Sequence, residues 1–269
     1  MTLTEITQGY LAELGLDATM DKPELLRQLQ CRHIARFSFN SLAVVLSQEI
    51  PLDSASVYRK IVVEKRGGYC FEHNKLVFDV LTTLGYEARI LMARVVYNKE
   101  DEVPRTHRIT LVTLDGESYI VDAGFGHFGA RLPLKLVPGL EQEQEDERFR
   151  MVELAKGDIG FQIWKDSAYF TLYRFDLNHY NEADCLAGHF YSHKFPTAGF
   201  VNNLVVSRKL QNKIYSLRNG DFYHIEKGET QISKIQHIEE LHQKLTQWFE
   251  LPVDRAVSEF LYHKFVVQG

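Results

Sequence analysis

The chain has 269 residues, 31 of them Lys or Arg and 36 Asp or Glu for a net charge of −5, and 45% of its residues are hydrophobic. This is enough for a packed core of one or two domains at the usual ~150 residues each, and it excludes a disordered, collagen-like or coiled-coil chain. The mild acidity leaves no basic face for nucleic acid, and no apolar run approaches the ~20 residues of a membrane-spanning helix. Residues 1–6 lack the basic and apolar regions of a secretory signal, so a cytoplasmic protein with a small-molecule partner is expected.

In chain order, Leu11, Leu14 and Leu16 and then Leu25, Leu26 and Leu29 mark two helices, with Pro23 at the start of the second, where proline is tolerated. A third apolar stripe begins near Cys70 with Phe71, Val77, Phe78, Leu81 and Leu84, and Gly85 supplies its stop. The period then changes. Ile90, Met92 and Val95-Val96 read as a strand, and residues 108–114, Asp115-Gly116 and residues 118–121 read as a hairpin. Pro133, Pro138 and the acidic residues 141–147 break the pattern and read as a solvated loop. Further strands are expected at residues 160–164, 168–175, 201–206 and 222–225, before a closing helical stripe of Ile238, Leu241, Leu245, Trp248 and Phe249.

Cys31, Cys70 and Cys185 form no CxxC pair, which argues against a disulfide framework and a structural zinc site. Cys70 stands apart, because Gly67-Gly68 permits a tight turn just before a helix that Cys70 would open. Orphan N–H groups and the positive end of the helix dipole there favour a thiolate, the nucleophilic form of cysteine. Cys70 is therefore expected to alkylate faster than Cys31 and Cys185.

The hairpin supplies partners. With a two-residue turn at Asp115-Gly116, Leu114 faces Glu117 and Ile109 faces Asp122, which makes His107 the diagonal neighbour of Asp122 on the same face. Asp122 can then hold one imidazole nitrogen and leave the other to take a thiol proton, the arrangement of nucleophile, base and orienting acid used by cysteine proteases. A three-residue turn would destroy this match.

Arg66-Gly-Gly-Tyr-Cys-Phe-Glu72, Arg105-Thr-His107 and Val121-Asp-Ala-Gly-Phe-Gly126, in this order, closely resemble the arylamine N-acetyltransferase family, particularly its enterobacterial members. The resemblance continues through residues 172–176 and Phe200 and fades over the last sixty residues. It implies an α+β fold in three parts: a helical bundle (1–85) bearing Cys70, an antiparallel β-barrel (86–187) bearing His107 and Asp122, and an α/β lid (188–269). It also implies ping-pong transfer of an acetyl group from acetyl-coenzyme A, through a thioester on Cys70, to an arylamine, arylhydrazine or N-hydroxyarylamine. By the same resemblance Phe125, Phe39 and Phe200 line the acceptor pocket, and Gly126 is a candidate contact for coenzyme A. Relatives with the same triad act as amide synthases on thioester-bound biosynthetic intermediates, which is the alternative reading.

The family's Pro-Phe-Glu-Asn segment reads Ser38-Phe39-Asn40-Ser41 here, so Arg66 lacks its expected acid. Glu72, Glu64 or a main-chain carbonyl is the expected substitute. Gly124-Phe-Gly-His-Phe-Gly129 satisfies the dinucleotide-binding spacing, but the prolines that follow cannot open the helix such a site requires. His189 and His193 have a metal-like spacing without a third ligand nearby, so no metal is expected.

Overall fold

The computed structural model describes residues 1–99 and 102–267. The first helix, α1 (Leu3–Leu14), is capped reciprocally: Glu5 N–H donates to Thr2 Oγ1 at 3.2 Å and Thr2 N–H to Glu5 Oε2 at 2.7 Å. Helix α2 (Lys22–Arg36) has Pro23 in its first turn. After β1 (Phe39–Asn40) and α3 (Leu42–Val45), helix α4 (Ser54–Tyr58) runs into a π-helical turn, and α5 (Cys70–Thr83) follows. Tyr10, Leu25, Leu29, Phe71, Val77 and Leu81 meet in one buried cluster between these helices.

An eight-stranded antiparallel sheet comes next: β2 (Glu87–Val95), β3 (His107–Leu114), β4 (Glu117–Val121), β5 (Leu134–Lys135), β6 (Glu141–Gln144), β7 (Glu147–Glu153), β8 (Ile159–Lys165) and β9 (Ala168–Phe175). Its order is β5-β4-β3-β2-β9-β8-β7-β6, and it curls around Leu91, Ile109, Leu111, Phe149 and Phe161. The two edges nearly close the barrel through side-chain amides. Lys135 N–H donates to Gln142 Oε1 and Gln142 Nε2 to Lys135 O, each at 2.9 Å; Gln144 does the same with Leu132 at 2.9 and 3.0 Å. An amide side chain carries the same donor and acceptor as a peptide unit, so two glutamines substitute for a missing ladder. The acidic segment at 141–147 is thus a hairpin and not the expected loop. Its alternation places Glu141 and Glu143 in solvent and buries Gln144, a two-residue period that the acid count conceals.

Helices α6 (Glu182–Lys194) and α7 (Gly199–Asn202) lead to a second sheet of β10 (Val205–Lys209), β11 (Lys213–Arg218), β12 (Asp221–Glu226) and β13 (Glu229–Lys234). Strand β1 joins it, pairing Phe39 with Ser207 and Asn40 with Val206. Helices α8 (Ile238–Gln243) and α9 (Arg255–Leu261), each continued by a π-helical turn, cover this sheet over Leu217, Phe222, Leu245 and Phe249. The strand expected at 201–206 starts late, because Asn202 Nδ2 donates to Pro196 O and Ala198 O at 2.7 and 3.0 Å and Asn203 Nδ2 to Gly199 O at 2.9 Å, holding a helical turn first. Among the described residues no helix is long and apolar enough to cross a membrane.

Candidate active site

Cys70 is the first residue of α5, placed there by the turn before it. Gly67 has φ +59°, and a Cβ at that position would fall 2.0 Å from Ser38 O, so only glycine fits. Glu72 fastens the helix start by accepting from Tyr69 N–H at 3.2 Å and from Lys60 Nζ at 2.6 Å. This occupies one of the acids expected for Arg66. The other, Glu64, lies 3.4 Å from Arg66, which also donates to Gln48 Oε1, a partner the sequence reading did not name.

The hairpin has the expected register. Asp115 and Gly116 both have positive φ, Leu114 pairs with Glu117 and Thr110 with Val121, so Asp122 follows directly after the ladder opposite Ile109. His107 Nε2–H donates to Asp122 Oδ2 at 2.7 Å, with both residues buried. Asp122 Oδ1 accepts from Asn74 Nδ2 at 2.9 Å and Gly124 N–H at 3.0 Å. Burial alone would raise the Asp122 carboxyl, but His107, Asn74 and the Gly124 amide outweigh it and hold the group below the usual carboxylate range.

The thiol lies against the backbone at the start of β3. Cys70 Sγ donates to Thr106 O at 3.6 Å, one residue before His107, and a Cβ on Gly124 would fall 2.9 Å from Cys70 Cα. The segment after β4 therefore passes in backbone contact with the first turn of α5. The thiolate-favouring expectation needs correction: burial pushes the Cys70 thiol well up, and the Asp122 charge adds to this. The helix start does not offset the loss of solvation, so a lone thiolate is disfavoured there.

A narrow cavity adjoins Asp122, lined among others by Phe39, Phe125, Gly126, Ser207 and Lys209. Phe125 stands edge-on to the His107 ring at 5.1 Å between centroids. Phe200 is not among the lining residues; its ring packs 5.9 Å from that of Phe39 and 5.6 Å from that of Tyr69. The glycine-rich segment 124–129 precedes β5 and opens no helix. His189 has both nitrogens engaged, Nδ1 with the Tyr69 hydroxyl and Nε2–H with Ile50 O at 3.0 Å. Among the described residues no cluster of three or more metal-ligating side chains occurs.

Two supporting residues escaped the sequence reading. Asn74, one helical turn after Cys70, reaches Asp122 and also donates to Arg108 O at 2.6 Å and accepts from Ala123 N–H at 2.8 Å. Gln30 on α2 accepts from Asp122 N–H at 3.2 Å and donates to Ala130 O at 2.9 Å. The available signal was an amide on the apolar stripe of each helix, since such a group needs buried partners.

A family model described as N-acetyltransferase matches residues 23–258. The arylamine N-acetyltransferase of Escherichia coli (strain K12) is 33% identical over 263 residues, covering 96% of this chain and 93% of that protein. The Salmonella typhimurium (strain LT2) protein named arylamine N-acetyltransferase / N-hydroxyarylamine O-acetyltransferase is 32% identical over 242 residues, covering 88% and 85%. Among solved structures, the Salmonella typhimurium arylamine N-acetyltransferase has a TM-score of 0.90 at 28% identity over 98% of this chain and 100% of that one. The Mycobacterium marinum arylamine N-acetyltransferase in complex with CoA has a TM-score of 0.91 at 26% identity over 96% and 99%. The likeness therefore extends well into the last sixty residues, where the motifs gave out. On the sequence match and the fold together, the chain belongs to the arylamine N-acetyltransferase family.

Proposed function

We propose that this protein transfers an acetyl group from acetyl-coenzyme A, through a thioester on Cys70, to the nitrogen of an arylamine or arylhydrazine or to the oxygen of an N-hydroxyarylamine. The observation that carries the catalytic assignment is the 2.7 Å His107–Asp122 hydrogen bond set beside the first residue of α5. With Nε2 committed to Asp122, Nδ1 is the nitrogen that receives the Cys70 proton. Sγ attacks the thioester carbonyl, the bond from carbon to the coenzyme sulfur breaks, and His107 returns the proton to the departing thiolate. In the second half the amine nitrogen attacks acetyl-Cys70, the carbon–Sγ bond breaks, and the amine proton passes by way of His107 to the released thiolate. Asp122 steadies the imidazolium in both halves. The Cys70 N–H, at the start of α5, is an oxyanion donor in this scheme.

Coenzyme A binding draws support from the complex of the Mycobacterium marinum relative. Gly126 is proposed as a contact for it. Phe39 and Phe125 offer aromatic faces to a flat acceptor, with Phe200 behind Phe39. Three parts are proposed, 1–85, 86–187 and 188–269, supported by three buried clusters; α6 runs across the last boundary and buries Cys185 in the cluster of the first part. A cytoplasmic setting fits three unpaired cysteines and a coenzyme A thioester donor. Incubation of the Cys70→Ser variant with acetyl-coenzyme A and an arylamine tests the assignment: acetylated amine formed at the wild-type rate would overturn it.

A further inference from the structure

The cavity has one wall whose chemistry the transfer reaction does not use. Lys209 closes β10 and is buried. Its Nζ donates to Gly129 O at 2.6 Å and His127 O at 3.2 Å, and lies 2.7 and 2.6 Å from the two carboxylate oxygens of Glu147. An ammonium has three protons, and two carbonyls and one carboxylate take all three. The partners come from three places. Glu147 begins β7 of the barrel, Lys209 belongs to the second sheet, and His127 and Gly129 lie in the segment that carries Phe125 and Gly126. That segment folds back on itself, since Gly129 N–H donates to Gly126 O at 3.1 Å.

Stability alone does not account for such a pair. Burial works against both charges, lowering the Lys209 ammonium and raising the Glu147 carboxyl, while each holds the other ionised. Replacing a buried ion pair with apolar residues of similar volume is often neutral or stabilising. Such residues would join β7 to β10 equally well, but they would offer nothing to the two carbonyls.

We propose that Lys209 is a positioning residue for the acceptor: through the carbonyls of His127 and Gly129 it fixes the segment bearing Phe125 and Gly126 as a rigid cavity wall, with Glu147 holding the ammonium in place. The effect is on aromatic amine binding, with the chemistry at Cys70 left intact. This rests on the acyl-transfer reading above, and the test keeps the two apart.

Lys209→Met alone strands Glu147 beside Arg131 and puts folding at risk. The Lys209→Met/Glu147→Leu double variant removes both charges and leaves Arg131 its 3.1 Å contact with Glu145. The double variant should stay folded, with its melting temperature lowered by the two carbonyls left without a donor, and alkylate Cys70 with iodoacetamide at the wild-type rate. Its kcat/KM for the acceptor amine should fall about tenfold, through KM rather than kcat, the scale of one or two lost hydrogen bonds. Its dissociation constant for aniline, measured by calorimetry without acetyl donor, should rise by a similar factor. An unchanged acceptor kcat/KM and aniline affinity overturn the proposal, and so does a fall in acceptor kcat/KM matched by the alkylation rate, which would indicate general damage. Should the wild type never form acetyl-Cys70, the functional reading fails, and the aniline comparison still decides the role of Lys209.

Discussion

Cys70 is pulled two ways. Its place at the start of α5 stabilises negative charge on sulfur, yet burial and the Asp122 carboxylate push the thiol up. Transfer of the thiol proton to His107 resolves the conflict, because thiolate and imidazolium form together and the net charge of the site does not change. In the proposed reaction the partner histidine, rather than the helix, makes Cys70 reactive. In the wild type, iodoacetamide should modify Cys70 faster than half-buried Cys31 or buried Cys185, whose thiol burial raises to about 11. In His107→Gln the order should invert: the raised Cys70 thiol stays protonated at neutral pH, Cys31 reacts first, and Cys70 responds only at strongly alkaline pH. Peptide mapping of the alkylated cysteines reads the order, and a Cys70 that keeps its lead in the variant contradicts the pairing. Asp122→Asn should keep the fold and lower turnover on the order of 10²–10⁴-fold, since the imidazolium loses its counter-charge. Steady-state kinetics at saturating amine measure this. The residues of this site were legible in sequence because each needs only local information: a glycine turn before a helix, and a hairpin whose pairing is set by counting. The strength of the burial around Cys70 was not, since it depends on every element packed over α5.

Helix α5 also carries a feature that no local pattern announces. Gly68 O can only accept, so His73 Nε2 bears the proton of their 3.1 Å hydrogen bond and Nδ1 must accept from His33 Nε2–H at 2.7 Å; His33 Nδ1 then accepts from the Tyr10 hydroxyl at 2.7 Å. One directed chain thus runs from α1 through α2 to the turn that presents Cys70. It requires both histidines neutral, and burial lowers them, His73 to about 4. The sign of the pH effect follows. The unfolded chain takes up these protons near the ordinary 6.5 and the folded chain only at lower pH, near 4 for His73, so the His73 contribution is complete above pH 6.5 and is lost as pH falls toward 4. Within that window His73 changes the folding equilibrium by about tenfold per pH unit. Urea midpoints measured at pH 7 and pH 5 should differ less in His73→Gln than in wild type, and equal differences would show that the chain is not neutral. Among the strands, the amphipathic ones such as β8 and β9 were readable from their alternation, whereas β13, exposed along its whole length, has no buried face to reveal it. Strand β6 was hidden because its inward residues are glutamines, whose role in closing the barrel depends on β5 lying opposite.

At the scale of the whole molecule the proposed site is assembled from several elements. α5 brings Cys70 and Asn74, the β3–β4 hairpin brings His107 and Asp122, and β1 and β10 add Phe39 and Lys209 to the cavity. Gln30 spans one of these seams, from α2 to the backbone at Asp122 and Ala130. Gln30→Ala should strand a buried N–H and a buried carbonyl and destabilise the protein by about 2–4 kcal/mol, read as a lower urea midpoint, whereas an unchanged midpoint would mean that the seam does not depend on this amide. The α+β division could be anticipated because the hydrophobic period changes near residue 86, but the joining of β1 to the second sheet pairs residues more than 160 positions apart and leaves no trace in local sequence. The most direct test of the proposed chemistry is intact-protein mass spectrometry after exposure to acetyl-coenzyme A, with peptide mapping and then addition of an arylamine. One acetyl group should appear on Cys70 and leave again as acetylated amine; folded protein that gains no acetyl group, or that carries it on another residue and still delivers it to the amine, would contradict the assignment.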